Sequence, residues 1–182
     1  TKEYRTQFLG MPMADEIKIV AADFKIAHDR IPSILEARRK SLMELYQEKL
    51  ELFPGALEIL QYFFRNKKIA LASSSSFKLI NFVVDRFNIR KYFRVLASGE
   101  EVAHGKPFPD VFLHAARKLM VKPEQCLVIE DSVNGVKAGK AAGMKVAALM
   151  QTVRKKEDLS QADWVFDDME EFWRKMSRPN KA

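Results

Sequence analysis

The chain has 182 residues, 31 Lys and Arg against 24 Asp and Glu, a net charge of +7, and 47% hydrophobic residues. That hydrophobic share supports a packed core and excludes wholesale disorder, and the length fits one domain or one domain with a small lobe. No apolar run approaches the roughly 18–20 residues of a membrane-spanning helix, and Thr1-Lys2-Glu3-Tyr4-Arg5 lacks a signal-peptide pattern, so no membrane partner is expected.

The first fifty residues read as helices. Met13, Ile17, Val20, Ala21 and Phe24 fall at helical spacing and give one apolar face. A second helix is expected from about Ser33 to Leu50, with Ser33 as N-cap after Pro32 and an apolar line of Leu35, Leu42, Leu45 and Tyr46. The pattern changes at Phe53-Pro54-Gly55, which marks the expected boundary between a helical lobe, 1–52, and a core, 53–182. Beyond it, strands and helices alternate. Strands are expected over Lys68 to Ala72, Arg94 to Ala97, Cys126 to Ile129 and Lys145 to Leu149, with Trp164-Val165-Phe166 as a further short one. The intervening helices run from Ala56 to Phe64, through Ile80, Val83, Val84 and Phe87, from Pro109 to Leu119, and up to Ala142 before Gly143. A last amphipathic helix covers Met169 to Met176. This alternation predicts an α/β fold, a parallel sheet with helices on its faces.

The single cysteine, Cys126, excludes an internal disulfide. Its apolar surroundings predict a buried thiol, and the cytoplasm is the expected compartment. Basic residues fall in short groups: Arg38-Arg39-Lys40, Lys67-Lys68, Arg154-Lys155-Lys156 and the tail from Arg174 to Lys181. No aromatics are interleaved for base stacking, so solvated faces are expected and nucleic acid is not an expected partner.

Three polar segments each follow a predicted strand, the edge at which open parallel sheets bind ligands. Ser73-Ser74-Ser75-Ser76 reads either as a polar helix cap or as an anion cradle of hydroxyls and backbone N–H groups. Gly105-Lys106-Pro107-Phe108-Pro109-Asp110 reads either as a turn with Pro109 opening a helix or as a lysine whose backbone two prolines restrict. Glu130-Asp131-Ser132 reads either as acids favoured by a helix dipole or as a magnesium site. Taken in order they form a phosphoryl-transfer set: cradle, counter-charge and metal.

The runs Ile69-Ala70-Leu71-Ala72-Ser73-Ser74, Gly105 to Asp110 and Val128-Ile129-Glu130-Asp131-Ser132-Val133-Asn134-Gly135 resemble the second, third and fourth motifs of the haloacid dehalogenase-like phosphatases. The order and spacing are similar to the β-phosphoglucomutase-like branch, whose small helical cap lies between the first and second motifs. The resemblance implies a Rossmann-like core sheet with a helical cap over residues 1–52. It implies that Ser73 hydrogen-bonds the transferring phosphoryl group with the backbone N–H of Ser74. Lys106 would neutralise charge between phosphate and nucleophile, and Asp131 would ligate magnesium with Glu130 in support. The implied activity is a Mg2+-dependent phosphatase of small phosphorylated metabolites, a monomer when intact.

The family's first motif, a strand ending in Asp-x-Asp-Gly whose first aspartate attacks phosphorus, has no counterpart here. Trp164-Val165-Phe166-Asp167-Asp168-Met169 lacks its spacing and glycine, and Asp23 lies on a predicted cap helix. The sequence is therefore expected to begin inside the cap, with the central strand missing and a gap between the Lys68–Ala72 and Cys126–Ile129 strands. A hexose-phosphate mutase is the alternative activity. In this branch a cap arginine after a Leu-x-Gly segment holds the second phosphate, whereas Met13 stands near that place after Leu9-Gly10. A truncated, non-catalytic chain with a structural or interaction role is the third reading.

Overall fold

The computed structural model describes Tyr4, residues 7–152 and residues 159–177. The basic group Arg154-Lys155-Lys156 and the end of the basic tail lie outside the described residues.

Helix α1 (Met13–Asp23) follows Pro12, with Asp15 and Glu16 in its first turn, where the helix dipole favours acids. It packs along α2 (Ile31–Lys49) through buried Ile17, Ala21 and Ile31. The Arg38 guanidinium joins the two helices through a fork of bonds to Glu16, each 2.8 Å. Gly55, at φ +82, turns the chain into α3 (Ala56–Phe64). A side chain there would be strained by that φ and would press on the backbone of Glu170.

Strand β1 (Ala70–Ser73) leads into α4 (Phe77–Arg86) and pairs in parallel with β2 (Val95–Ser98). Helix α5 (Asp110–Leu119), strand β3 (Leu127–Glu130), helix α6 (Val133–Ala141) and strand β4 (Lys145–Leu149) follow. The described chain closes with β5 (Trp164–Phe166) and α7 (Met169–Ser177). Strands β3, β4 and β5 form a second parallel sheet in that order, and no ladder joins β1 to β3 among the described residues.

Helices hold the two half-sheets together. On one face α5 packs on β1 and β2 and also touches α6, which covers β3 and β4. Val111, Phe112, Ala115 and Ala116 of α5 are buried there with Val128, Val136 and Val146. Full burial of a Val or Phe side chain stabilises by roughly 1.5–3 kcal/mol, so α5 alone accounts for several such contributions. On the other face α3 reaches both the turn at Arg90–Tyr92 and α7. Phe166 and Phe172 stack edge to face beneath it, with ring centroids 5.1 Å apart.

The strands match the expected ones with shifts of up to two residues, and β4 and β5 match at both ends. Several expectations need correction. Ser33 is not an N-cap: α2 begins at Ile31, and Ser33 Oγ donates back to Arg30 O at 2.8 Å, inside the first turn. Phe24 lies one residue past the end of α1 and is exposed, and Leu45 is exposed on α2, where among the described residues no element packs over it fully. Cys126 is half-buried rather than buried: it stands just before β3, and its thiol donates to Lys122 O at 3.4 Å.

Candidate active site

The C-terminal ends of β1 and β3, the Lys106 loop and helices α1 and α2 border one cavity of about 1370 Å³. Ser73, Ser74, Lys106, Glu130 and Asp131 line its sheet side, and Met13, Arg39, Lys40, Met43 and Gln47 line the side of α1 and α2. All five site residues expected from the sequence are thus brought together, from segments up to 58 residues apart (Ser73 to Asp131).

Ser73 closes β1, and its hydroxyl accepts the Ser75 N–H at 3.1 Å. Ser74 Oγ donates to Gly10 O at 2.6 Å, which ties the serine loop to the segment before α1. Gly10 has φ +80, and a Cβ on it would collide with Ser132 Oγ. Ser76 caps α4 by accepting the Leu79 N–H. The capping reading therefore holds for Ser76, and Ser73 and Ser74 take no part in capping α4.

Lys106 and Glu130 are both buried, and the ammonium donates to Glu130 Oε1. The Lys106 ammonium also lies 4.7 Å from the Phe112 ring centroid, so the cation has an aromatic face beneath it. Glu130 Oε2 accepts from the backbone N–H groups of Asp131 and Ser132, both at 3.0 Å, and from Ser132 Oγ at 2.9 Å. Burial by itself pushes the Glu130 carboxyl up, but the Lys106 charge and the Ser132 donors outweigh it and hold it below the usual carboxylate range. Gly135 makes room for this carboxylate, because a Cβ there would overlap Glu130 Cδ.

Asp131 is the contrasting acid. Burial first, and the Glu130 charge second, hold its carboxyl above the usual range. Such a group is stabilised by a cation. Both Glu130 oxygens already have partners, and Asp131 is the second carboxylate of the pair lining the cavity. Among the described residues no three His, Cys, Asp or Glu side chains converge on one point. Magnesium nevertheless suits this donor set, because it commonly keeps several waters and takes one or two carboxylates plus a substrate phosphate.

Sequence reasoning missed three contributors. Thr152 Oγ1 donates to Asp131 O from the segment after β4. Asn134 Nδ2 donates to Leu9 O at 2.9 Å and to Gln7 O at 3.1 Å, fastening the segment before α1 to α6. Gly10 supplies the acceptor for Ser74. The Asn134-Gly135 pair was visible in the motif; Thr152 carries no local signal.

Parallel strands with helices on both faces, and a serine loop, a buried lysine and an acidic pair gathered at the strand ends, define an α/β protein with one polar cavity at that edge. The family model described as haloacid dehalogenase-like hydrolase matches residues 8–143, and the chain belongs to that family. A phosphorylated carbohydrates phosphatase from Thermotoga maritima is 30% identical over 146 residues, 80% of this chain and 67% of that protein. Hexitol phosphatase B from Escherichia coli is 38% identical over 104 residues, 57% of this chain and 47% of that protein. Over 130 residues, a bifunctional riboflavin kinase/FMN phosphatase from Arabidopsis thaliana is 38% identical, covering 70% of this chain and 34% of its own. The chain thus spans between about a third and two thirds of these relatives. The β-phosphoglucomutase structure from Clostridium difficile superposes with a TM-score of 0.82 at 22% identity, over 98% of this chain and 84% of that one. At that identity the likeness shows the fold.

Proposed function

We propose that this chain is part of a magnesium-dependent phosphatase acting on small phosphorylated metabolites such as sugar phosphates, with residues 1–52 as cap and 53–182 as core. The observation that carries the reading is the convergence of Ser73, Ser74, Lys106 and Asp131 on one cavity beneath α2. Ser73 Oγ and the Ser74 N–H would hold the phosphoryl oxygens. Lys106, fixed by Glu130 and Phe112, would keep a positive charge beside the transferring group at no cost in reorganisation. Asp131 would hold magnesium, which supplies charge neutralisation on the phosphoryl oxygens when bound. The cap helices would exclude water from the cavity. Transfer through an aspartyl-phosphate requires a carboxylate nucleophile, and these 182 residues contain no Asp-x-Asp-Gly segment. The activity is therefore proposed for the whole protein, and residues 1–182 alone are expected to give no turnover.

The named phosphatase relatives support a phosphorylated carbohydrate-like substrate. The test is release of phosphate from a panel of sugar phosphates, nucleotides and phosphoglycolate by the protein purified at its native length. Turnover with magnesium, lost on adding EDTA, is the expected result. No hydrolysis of any panel member would overturn the reading.

One observation favours a hexose-phosphate mutase as a second reading: Arg39, Lys40 and Lys78 line the same cavity and could meet a second phosphate. Isomerisation of a hexose monophosphate without phosphate release would select it.

A further inference from the structure

We propose that the tip of β2, Ser98-Gly99-Glu100, is a clamp that sets the geometry of the serine loop, with Ser98 and Glu100 as positioning residues. The proposal rests on the reading of Ser73 and Ser74 as the phosphate cradle, and it adds residues outside the motifs that carry that reading.

Three contacts run from this tip to consecutive parts of the loop. Ser98 is fully buried, and its Oγ donates to Ser75 O at 2.7 Å. Glu100 Oε2 accepts the Phe77 N–H at 3.0 Å. Gly99 approaches so closely that a Cβ on it would stand 3.1 Å from Ser74 Cα and 3.2 Å from Ser74 O. The first contact fixes the peptide plane after Ser75. The second fixes the plane before Phe77, and the third bears on Ser74 itself.

The clamp is held rigid in turn. The Ser98 N–H donates to Glu101 Oε2 at 3.0 Å, and Ser98 Oγ accepts the Glu100 N–H at 3.1 Å. Glu101 is anchored on α5 by Lys118. The β1–β2 ladder ends in the Ser73–Ser98 pair, so both loops leave the sheet at one level. A phosphate cradle stabilises transferring charge only as far as its donors are preorganised. Loosening the planes after Ser74 would therefore weaken the cradle while leaving Lys106 and Asp131 in place.

The test uses the protein at native length and reads kcat, KM, the inhibition constant of inorganic phosphate and the magnesium concentration for half activation. Glu100 is solvent-exposed, so Glu100→Ala is the variant least at risk of misfolding. We expect Glu100→Ala and Ser98→Ala each to weaken inhibition by phosphate roughly tenfold, the scale of one lost hydrogen bond, with magnesium activation unchanged. Glu100→Gln keeps an acceptor for the Phe77 N–H and should restore most of the phosphate affinity. Ser73→Ala separates the two claims. If it leaves phosphate inhibition unchanged, the cradle reading itself fails. If it weakens inhibition while Glu100→Ala does not, the clamp is overturned and the cradle stands. Should Ser98→Ala fail to fold, Glu100→Ala decides alone.

Discussion

The Lys106 ammonium and the Glu130 carboxylate meet in the interior, with side chains only 6% and 8% exposed. Neither charge has water to fall back on, so each depends on the other. Removing one partner of such a pair leaves an uncompensated buried charge and costs about 3–5 kcal/mol, far more than an exposed pair contributes. Lys106→Met and Glu130→Ala should each lower the thermal midpoint sharply, and the double variant should lose less than the sum. A double-mutant cycle by thermal denaturation checks this; strict additivity would mean that the two groups do not interact.

Asp131 and Glu130 are neighbours with opposite dependences on pH. Glu130 is held below its unfolded value of about 4.3, so its contribution is present above that pH and is lost as pH falls through the folded value. Asp131 is held above its unfolded value of about 3.9, so the associated stability is present below that pH and is lost as pH rises through the folded value. Above that range and without metal, Asp131 therefore weighs against the fold. Asp131→Asn is expected to raise the thermal midpoint in EDTA while removing most phosphatase activity. Denaturation in EDTA and in magnesium, beside a rate assay, reads both. An unchanged rate in EDTA would show the metal assignment to be wrong.

Gly135 lies in the first turn of α6, where alanine has the better helix propensity by about 1 kcal/mol. The close approach of Glu130 opposes that gain, since a methyl group would overlap its carboxyl carbon. Overpacking of this kind costs about 1–3 kcal/mol, and Glu130 cannot retreat without leaving Lys106 and the Ser132 donors. Gly135→Ala should therefore destabilise despite its propensity, and it should also reduce activity by displacing Lys106. A variant as stable and active as the parent would show that the carboxylate has another resting place.

Much of this was legible in the sequence because the signals were local. Apolar runs bounded by Pro and Gly marked β3 and β4, and Ser73, Lys106 and Asp131 each follow such a run or its loop. What stayed hidden depended on distance in sequence. Ser98 holding the Ser75 carbonyl, Asn134 holding Leu9, and Thr152 holding the Asp131 carbonyl join segments whose composition says nothing of one another. The exposure of Phe24 and Leu45 was also unreadable, since helical spacing marks an apolar face without saying that a partner covers it.

The break between β1 and β3 leads to the last prediction. In the described residues β4 is paired on both sides, whereas β1 and β3 are each paired on one side only. The unpaired edges belong to the sheet interior, since α5 bridges the two halves on one face and α3 bridges them on the other. Each buried backbone group without a partner costs roughly 1–3 kcal/mol. A domain's whole stability is about 5–15 kcal/mol, so even a few such groups along the half-buried β1 and β3 weigh heavily against it. Water entering from the cavity reduces that penalty, yet it also opens the strands to exchange. Residues 1–182 produced alone should therefore be poorly soluble or only marginally folded. In any soluble fraction, Val146, Ala147 and Ala148 should exchange their amide hydrogens slowest, and the amides of Ala70–Ser73 and Leu127–Glu130 much faster. Hydrogen exchange followed by mass spectrometry or NMR distinguishes the three strands. Equal protection of β1, β3 and β4 in a stable monomer would mean that the two half-sheets pair directly in solution, and the split sheet would then not describe the folded chain.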